Sequence, residues 1–592
     1  MRVARHGLTH ARAERIRADD DTVAPWCAAS DPPNEILRIS CYRPPVLRPP
    51  RTLAELALIR RRVRDEALSA RALLRAGFLS LDHPRLLRER GQLRSDYGSM
   101  GAGLPIAASR FADQVAIVDD RGSLTYRELE ARSNALANAW RARGVSVGDG
   151  IALFSRNHRG FIEALIAAQK LGARAVLLNT DFAGPQLREV AAREGAGMLV
   201  YDDEFAPLVA GLELPQGRWR AWTDEPGPDT LEALIAEGDP GLPPPPSEHG
   251  TFVILTSGTT GTPKGARRNG ESRTLTRIGA LVGSVPFRTG DKTVIAAPLF
   301  HSLGFVGAIL GIGLGSTLIL RRRFSPEQVL SDVSRERATV LIGVPIMLAR
   351  VLDAYEASEP RPDLSSLRIV LVAGSQLGAT LARRTLTLLG EVLYNLYGST
   401  EVAFATIAGP AHLRDAPDTV GPPTLGSRVR IIDAAGRPLP AGRTGRIMVG
   451  NAIGFEGYTG GGSKEMVDGL MSSGDLGHLD EQGLLYIDGR DDAMIVSGGE
   501  NVFPDEIEEL LAGHEAIAEA AAIGVADEQF GQRLRVFVVA RDGAGLDEQQ
   551  VRDYVKDNLA RYKVPRDVVF LAELPRNPTG KVLKRELVNY KL

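Results

Sequence analysis

The sequence predicts an α/β protein with a large N-terminal domain and a small C-terminal α+β domain. Apolar strand patterns alternate with helix patterns from about residue 105 to about residue 400, which is typical of parallel sheets covered by helices. Residues 427–450 form short β segments with turns, as in a β-rich subdomain, and a new rhythm starts near residue 490. We place the domains at residues 1–100, 101–490 and 491–592.

The composition is that of an ordinary globular chain. The 592 residues are 44% hydrophobic and 24% charged, with a net charge of −2. These values exclude a wholly disordered chain, a collagen-like fibre and a generally basic nucleic-acid binder. Two cysteines, Cys27 and Cys41, are too few for a disulfide scaffold or a four-thiolate metal site, so we expect a reducing, cytoplasmic location.

Residues 1–100 form an Arg-rich extension, with 19 Arg against 12 acidic residues. Residues 1–50 have no sustained period and are expected to be loosely ordered, whereas residues 52–93 have leucines and alanines at helical spacing. A helix of this kind packs on the next domain or lies peripherally on the inner face of a membrane. Both possibilities stay open. Deletion of residues 1–95 should leave soluble-substrate turnover within several-fold if the protein still folds, and a collapse in solubility would favour the packing helix.

The first strand–helix units of the large domain can be placed from the periodicity. We expect strands at residues 115–120, 151–155 and 175–178 and helices at residues 124–140 and 161–173. Thr125 followed by Glu128 is the pattern of a capping box at the start of the first helix. In the C-terminal domain we expect helices at residues 504–513 and 546–562.

One segment is apolar enough to suggest a membrane span. Residues 293–320 contain no Asp, Glu, Lys or Arg, and that length would cross a bilayer. Pro298, His301 and five glycines interrupt the segment. We therefore expect a buried strand, loop, helix and strand.

The strongest chemical signal is the loop that follows the apolar strand at residues 251–256. Its glycines let backbone N–H groups approach an anion closely, its hydroxyls add donors and its lysine adds a positive charge. A Walker loop is excluded because Pro263 precedes Lys264 and Gly265 follows it. We expect a polyphosphate to bind at Thr256, Ser257, Gly258, Thr259, Thr260, Gly261 and Lys264.

This loop resembles the phosphate loop of the adenylate-forming superfamily: acyl- and aryl-CoA ligases, luciferases and peptide-synthetase adenylation domains. Further segments match the superfamily's motifs in order, at residues 298–305, 372–377, 394–401, 473–490, 496–508 and 575–587. The resemblance covers about residues 105–592. It implies that the small domain is mobile and swings about a hinge at Asp492.

The resemblance also implies an ATP site spread over these motifs. Thr400 would bond the α-phosphate, and Glu401, a hard oxygen ligand, would bind Mg²⁺. The adenine, ribose and phosphates would be held by Gly374, Ser375, Asn395, Tyr397, Gly398, Asp475 and Arg490.

Three further roles follow from the same resemblance. Lys581 occupies the place of the adenylation lysine, which acts on the carboxylate and the α-phosphate. Ser497, Gly498 and Gly499 would line the path of coenzyme A after the small domain turns. His301 occupies the place of an aromatic or histidine gate beside the carboxylate of the acid.

By resemblance, residues 293–320 belong to the pocket for the acid. A pocket without charge cannot reward a charged substrate tail, and the glycines at 304, 307, 311, 313 and 315 would leave room for an apolar chain. We therefore expect an acyl-CoA synthetase for medium- or long-chain fatty acids that uses ATP, Mg²⁺ and coenzyme A. A fatty-acyl-AMP ligase that loads a carrier protein, an aryl-acid CoA ligase, a luciferase-like oxygenase and an inactive scaffold that binds nucleotide or membrane remain alternatives. The acid, the oligomeric state and the pathway stay open.

Overall fold

A computed structural model describes residues 53–79, 84–182, 184–256, 264–268, 276–450, 457–458, 463–490, 495–497, 500–502, 504–527, 531–559, 563–578 and 580–590. The segment predicted to be loosely ordered, residues 1–50 with both cysteines, lies outside these ranges. The chain divides into two compact units, residues 1–57 and 58–592. In the first unit the described residues are 53–57, at the start of a helix.

The described helices extend from the N-terminal segment to the C-terminus. They are α1 (Leu53–Ala76), α2 (Pro84–Gly101), α3 (Gly103–Phe111), α4 (Tyr126–Ala142), α5 (Arg159–Lys170), α6 (Gly184–Arg193), α7 (Ala206–Val209), α8 (Leu231–Glu237), α9 (Thr276–Ser284), α10 (Ser302–Gly313), α11 (Pro326–Glu336), α12 (Pro345–Ala357), α13 (Ala379–Leu389), α14 (Pro410–Asp415), α15 (Pro504–Ala512), α16 (Glu548–Asn558) and α17 (Lys584–Val588).

The described strands group into four sheets. Within the chain they are β1 (Val115–Asp119), β2 (Gly122–Thr125), β3 (Gly150–Phe154), β4 (Arg174–Leu177), β5 (Ala196–Asp202), β6 (Arg218–Trp222), β7 (Thr251–Thr256), β8 (Lys264–Arg268), β9 (Lys292–Ile295), β10 (Thr317–Leu320), β11 (Val340–Gly343), β12 (Ile369–Val372), β13 (Leu393–Ser399), β14 (Ala403–Ala408), β15 (Arg428–Ile432), β16 (Gly445–Gly450), β17 (Met466–Val467), β18 (Leu470–Leu479), β19 (Leu485–Arg490), β20 (Ile495–Ser497), β21 (Glu500–Val502), β22 (Ile517–Asp527), β23 (Gly531–Ala540) and β24 (Asp567–Phe570).

Two mainly parallel sheets form the body of the large domain. One has the order β14-β13-β12-β11-β9-β10-β1-β2 and the other β6-β5-β3-β4-β7-β8. The strands inside each sheet run parallel, and antiparallel strands occur at β14, β2 and β8. The predicted α/β class with parallel sheets is therefore confirmed.

Local signals in the first units correspond to the observed elements. The side chain of Thr125 accepts a hydrogen bond from the backbone of Glu128, and the Glu128 carboxylate accepts one from the backbone of Thr125 at 2.7 Å. This reciprocal pair is the capping box that the sequence predicted at the start of α4. The expected strands at 151–155 and 175–178 appear as β3 and β4, within one residue of the predicted bounds.

The remaining two sheets are smaller. Strands β15 to β19 form an antiparallel sheet, which is the β-rich subdomain expected around residues 427–450. Strands β20 to β24 form a sheet with α15, α16 and α17 in the last hundred residues. We call this last body, sheet and helices together, the small domain. The separate small C-terminal domain is thus confirmed, while the bounds at residues 100 and 490 stay a prediction.

The last turns of the N-terminal helical region pack on the large domain, which is one of the two possibilities that the sequence left open. Helix α1 ends at Ala76 because Gly77 adopts a left-handed φ of 77°. Leu73 and Ala76 are buried at 1% and 4% exposure, in one cluster with Leu281 of α9 and Leu310 of α10. The last turns of α1 therefore belong to the core of the large domain.

The uncharged segment folds as the sequence predicts. It becomes strand β9, a loop, helix α10 and strand β10, and in the described part of the chain no helix is long and apolar enough to cross a membrane. The arginines that follow it are ion-paired within the domain: Arg321 lies 2.6 Å from Asp332, and Arg322 lies 2.6 Å from Glu204.

One of the few lysines is fully enclosed. The ammonium group of Lys170, on α5, donates to Glu130 at 2.8 Å, to Ser133 at 2.8 Å and to Asn134 at 2.6 Å. Three acceptors match the three donors of an ammonium group. Burial lowers the pKa of Lys170, and the neighbouring Glu130 carboxylate opposes that effect. This contact joins α4 to α5 inside the core.

Candidate active site

The proposed nucleotide site lies where neighbouring parallel strands end. Strands β12 and β13 are paired in parallel, with Val372 opposite Asn395. Gly374 and Ser375 follow β12, while Asn395 and Tyr397 lie on β13. Ligands of open parallel sheets bind at the carboxyl ends of the strands, so the register brings these predicted residues to one edge.

Two positions at this edge require glycine, each for a different structural reason. Gly374 has a left-handed φ of 96°, a conformation that glycine adopts without steric cost. At Gly398 a Cβ atom would lie 1.7 Å from the carbonyl oxygen of Ala403. Gly398 is therefore required for the close approach of β13 and β14, whether or not a ligand is bound.

Tyr397 and Asp475 come from different sheets and meet directly. The Tyr397 hydroxyl donates to Asp475 Oδ2 at 2.5 Å. Asp475 lies on β18 opposite Arg490 on β19, so the two residues predicted to reach the ribose are cross-strand neighbours. The backbone N–H of Asp475 donates to Ser473 Oγ at 3.1 Å, a local contact within strand β18.

The Glu401 carboxylate is held by two hydroxyl groups. Ser399 Oγ donates to Oε2 at 2.8 Å, and Tyr458 donates from its hydroxyl to Oε1 at 2.8 Å. Burial and the Glu401 carboxylate raise the pKa of the Tyr458 phenol above its usual range. Sequence reasoning missed both donors, although Ser399 stands in the same YGSTE motif as Glu401.

This carboxylate fits a Mg²⁺ ion that is bound mainly by phosphates. Each oxygen of Glu401 accepts one hydroxyl and keeps a further lone pair for a cation. Among the described residues, no group of three or more His, Cys, Asp or Glu could form a metal site from protein alone. Mg²⁺ in nucleotide enzymes commonly uses one or two carboxylates together with substrate phosphates.

The phosphate loop is described only at its two ends. Thr256 ends β7 and Lys264 begins β8, and the two residues are directly paired across the antiparallel ladder. Residues 257–263, with the predicted Ser257, Gly258, Thr259, Thr260 and Gly261, lie outside the described residues. The binding of polyphosphate here stays a prediction, now placed at the mouth of a β-hairpin.

His301 precedes α10 with a buried imidazole nitrogen. Its ring centroid lies 4.6 Å from that of Phe300, and its Nε2 is buried without a hydrogen-bond partner among the described residues. Although the residue as a whole is partly exposed, burial of the ring lowers the pKa of His301 to about 4. The imidazole is therefore neutral at physiological pH and offers a polar atom inside an apolar surrounding.

The glycines that follow His301 do not leave the room that the sequence suggested. A Cβ atom at Gly307 would lie 2.7 Å from Ile342 Cδ1, at Gly311 2.6 Å from Leu318 Cδ2 and at Gly313 2.6 Å from Phe78 Cε2. At Gly304 it would lie 2.3 Å from the carbonyl oxygen of Pro298, and at Gly315 2.5 Å from the ring of Phe111. The protein's own atoms fill the space beside these glycines, so the prediction that they make room for an alkyl chain was wrong.

Lys581 lies on an exposed turn of the small domain. Its backbone N–H donates to Asn577 Oδ1 at 2.9 Å, and Gly580 before it has a left-handed φ of 76°. A Cβ atom at Gly580 would lie 3.4 Å from Val344 Cγ2, and one at Gly374 would lie 3.6 Å from Val344 Cγ1. The structure thus brings the Lys581 turn to the edge that carries Gly374.

The predicted path for coenzyme A is placed only in part. Ser497 ends β20 and is paired with Glu500 on β21 and with Gly531 on β23. Gly498 and Gly499 lie outside the described residues, as does the hinge residue Asp492. Their roles stay predictions.

Two family models match the chain. The model of the AMP-binding enzyme covers residues 104–459, and the model of the AMP-binding enzyme C-terminal domain covers residues 506–581. The chain belongs to the AMP-binding enzyme family. The resemblance to the adenylate-forming superfamily is confirmed. The family model begins to match this AMP-binding enzyme at residue 104, just after α2.

Relatives of this AMP-binding enzyme match along almost their whole length. Feruloyl-CoA synthase of an Amycolatopsis species is 34% identical over 82% of this chain and 97% of that protein. The fatty acid–[acyl-carrier-protein] ligase ScoC of Streptomyces coeruleorubidus is 31% identical over 80% of this chain and 92% of that protein. The structure of o-succinylbenzoate CoA synthetase (MenE) from Bacillus subtilis, in complex with the acyl-adenylate intermediate OSB-AMP, is 27% identical, with a TM-score of 0.72 over 83% of this chain and 98% of that chain.

Proposed function

We propose that this enzyme joins a carboxylic acid to coenzyme A in two steps, through an acyl-adenylate. The observation that carries the proposal is the direct contact of Tyr397 on β13 with Asp475. The hydroxyl-held Glu401 follows the same strand, and the Lys581 turn lies beside Gly374. Such an edge can hold a nucleotide and present one lysine to its α-phosphate. The family match and the adenylate-bound structural relative support the same chemistry.

In the first step, a carboxylate oxygen of the acid attacks the α-phosphorus of ATP, and the bond to pyrophosphate breaks. Thr400 holds the α-phosphate, Lys264 stabilises the leaving pyrophosphate and Lys581 stabilises the charge that develops between carboxylate and phosphate. When bound at Glu401, Mg²⁺ neutralises phosphate charge. Phosphoryl-type transfers of this kind depend mostly on positioning and charge stabilisation.

In the second step, the sulfur of coenzyme A attacks the acyl carbonyl carbon, and the bond to AMP breaks. The thiol proton leaves with the departing AMP or with solvent. The small domain turns beforehand, so that Ser497, Gly498 and Gly499 face the adenylate and Lys581 leaves it. Glycines at two of these positions let the thin pantetheine arm pass close to the backbone.

For the acid, we propose an apolar aryl-substituted acid in place of the long-chain fatty acid that the sequence favoured. The uncharged segment around α10 still argues against a charged tail. The argument for a long alkyl chain depended on the glycines, and the core side chains Ile342, Leu318 and Phe78 occupy that space. The feruloyl-CoA synthase relative supports an aryl acid, while the ScoC relative keeps fatty acids as the second candidate.

A pyrophosphate-release screen tests both the ligase activity and the preference for an aryl acid. Purified enzyme is given ferulate, cinnamate, indoleacetate, octanoate, palmitate, acetate and amino acids, each with ATP and Mg²⁺. We expect arylalkenoic acids to have the highest kcat/KM. Palmitate as the best substrate would overturn the aryl assignment alone, whereas no pyrophosphate release with any acid would overturn the ligase assignment.

The acceptor is tested in the same assay. We expect thioester to form when coenzyme A is present and acyl-adenylate to accumulate when it is absent. A fatty-acyl-AMP ligase would instead form adenylate at the same rate with and without coenzyme A and transfer the acyl group to a carrier protein. Mass spectrometry of the products separates the two activities.

Contact with the inner face of the membrane stays a proposal for helix α1. Its outward residues Val63, Leu68 and Leu74 are 64%, 42% and 43% exposed, and Arg64 and Arg71 lie exposed between them. Each cation near an anionic surface contributes ~1 kcal/mol. Flotation with anionic vesicles should fall when Arg64→Glu and Arg71→Glu are combined, and equal flotation of both proteins would remove the membrane proposal and its location.

A further inference from the structure

Helix α13 begins directly after the loop of Gly374 and Ser375, and it has no capping side chain of its own. The residue at its N-cap position is Gly378, which has a left-handed φ of 75° and makes no side-chain hydrogen bond to the helix. The first turn of a helix leaves backbone N–H groups without partners inside the helix. These groups are satisfied by water or by a group from elsewhere in the molecule.

The small domain supplies that group. Glu509, on α15, accepts a hydrogen bond through Oε1 from the backbone N–H of Ala379 at 2.9 Å, in a partly buried position. A Cβ atom at Gly378 would lie 4.0 Å from the same oxygen, and one at Gly513 would lie 3.8 Å from Thr380 Oγ1. One end of α15 thus rests on the start of α13.

This contact acts together with the Lys581 turn. The turn lies against the start of α12, where a Cβ atom at Gly580 would come within 2.2 Å of Ile346 Cγ2. The two contacts are made by different elements of the small domain, and both fall on helix starts that follow strands of the same parallel sheet. Together they place the small domain in the arrangement in which the Lys581 turn lies beside the loop of Gly374 and Ser375.

We propose that Glu509 is a positioning residue that stabilises this adenylation arrangement by capping α13 from the small domain. The carboxylate is favoured there because the helix start carries partial positive charge and exposed N–H donors. The cap has to be released when the small domain turns for the second step, so Glu509 biases the enzyme toward the first step. The proposal rests on the two-step function proposed above.

The test compares Glu509→Ala and Glu509→Gln with a matched control, Glu515→Ala, which removes an exposed carboxylate just beyond α15. Single-turnover kinetics measure adenylate formation from acid and ATP, and thioester formation from supplied acyl-adenylate and coenzyme A. Loss of a carboxylate cap typically changes an equilibrium by about two- to thirtyfold. We expect E509A to slow adenylate formation by about that factor while thioester formation is unchanged or faster. E509Q should fall between E509A and the wild type, because its amide oxygen still accepts but carries no charge.

A second measurement does not depend on activity. Limited trypsin cleavage after Arg490, between β19 and β20, should be faster in E509A than in the wild type and in E515A, because the small domain leaves the capped arrangement more often. Unchanged cleavage and unchanged adenylate formation in E509A would overturn the proposal, as would equal losses in both half-reactions. If the wild type forms no adenylate with any acid, the proposed function fails instead, and the cleavage measurement still decides the role of the cap.

Discussion

The N-terminal helix α1 and the small domain both lie against the large domain, but they are attached by different chemistry. Leu73 of α1 is 1% exposed within an apolar cluster, and Ser69 Cβ lies only 2.4 Å from where a Cβ at Gly279 would be. The small domain instead contacts helix starts through the Glu509 carboxylate and the Gly580 turn. Apolar packing of this density cannot be opened without exposing core to water, whereas a hydrogen-bonded cap exchanges readily with water. The α1 attachment therefore opens only at the cost of exposing core, whereas the small-domain attachment is compatible with the domain rotation proposed above.

The largest expected effect concerns Lys581 of the small domain. Lys581→Ala should lower adenylate formation by about 10²–10³, because a preorganised charge aimed at developing phosphate charge is typically worth that factor. Thioester formation from supplied acyl-adenylate should stay nearly normal. Lys581→Arg should not restore the first step, because a planar guanidinium does not fit where a compact ammonium does. Rapid-quench kinetics of each half-reaction give the answer, and equal losses in both would contradict the moving attachment.

The packing of α1 on the large domain is tested by truncating a buried leucine of this helix. Leu73→Ala should lower the free energy of unfolding by about 2–5 kcal/mol, as is usual for a large apolar side chain removed from a core. Leu74→Ala is the matched control, because Leu74 is 43% exposed, and it should change stability by less than about 0.5 kcal/mol. Urea unfolding followed by circular dichroism measures both. Equal, small effects would mean that α1 does not contribute to the core of the large domain.

A double-mutant cycle measures the contact between Gly313 and Phe78, just beyond the end of α1. Gly313→Ala should destabilise the protein by about 1–3 kcal/mol, because its Cβ would meet the Phe78 ring and overpack the core. In a Phe78→Ala background the same change should cost much less. The acid preference should not change in the single variant. A shift toward shorter acids without loss of stability would instead restore the view that Gly313 faces the substrate.

The smallest effect concerns His301 and pH. Because burial lowers the pKa of His301 to about 4 in the folded state, against about 6.5 in the unfolded chain, the unfolded state binds more protons between these values. The contribution of His301 to stability is therefore complete above about pH 6.5 and is lost as pH falls toward 4. His301→Phe should remove this part of the acid destabilisation, on the order of 1–2 kcal/mol. Unfolding free energies at pH 4.5 and 7.5 test it, and identical pH dependence in both proteins would contradict it.

The structural elements that could be predicted are those determined by residues close together in the sequence. The Thr125–Glu128 capping box and the strand, loop, helix and strand of residues 293–320 follow from periodicity and hydrogen-bonding chemistry within a few residues. The superfamily motifs also predicted Tyr397, Asp475 and Glu401 as site residues, and the structure joins the first two by a hydrogen bond. The first two signals depend on neighbours in the chain, whereas the site residues were predicted from the superfamily motifs.

The errors and omissions depend on residues far apart in sequence. From the sequence, Gly313 was expected to leave space for substrate. In the structure the ring of Phe78, 235 positions earlier in the chain, fills the space beside Gly313. Tyr458 and Glu509 could not be assigned because their partners, Glu401 and Ala379, lie on other elements. Periodicity reports which face of a helix is buried but not which residue is buried against it.

The enclosed ammonium of Lys170 has a practical consequence for labelling this enzyme. The chain has only 9 lysines among its 71 basic residues, and Lys170 is sealed by three oxygen atoms inside the core. Lys563 and Lys584 form ion pairs with carboxylates of α15, and Lys581 lies on an exposed turn. An amine-directed reagent used below stoichiometry would therefore modify few positions. Modification of Lys581, mapped by mass spectrometry, would remove the positive charge that the proposed first step uses.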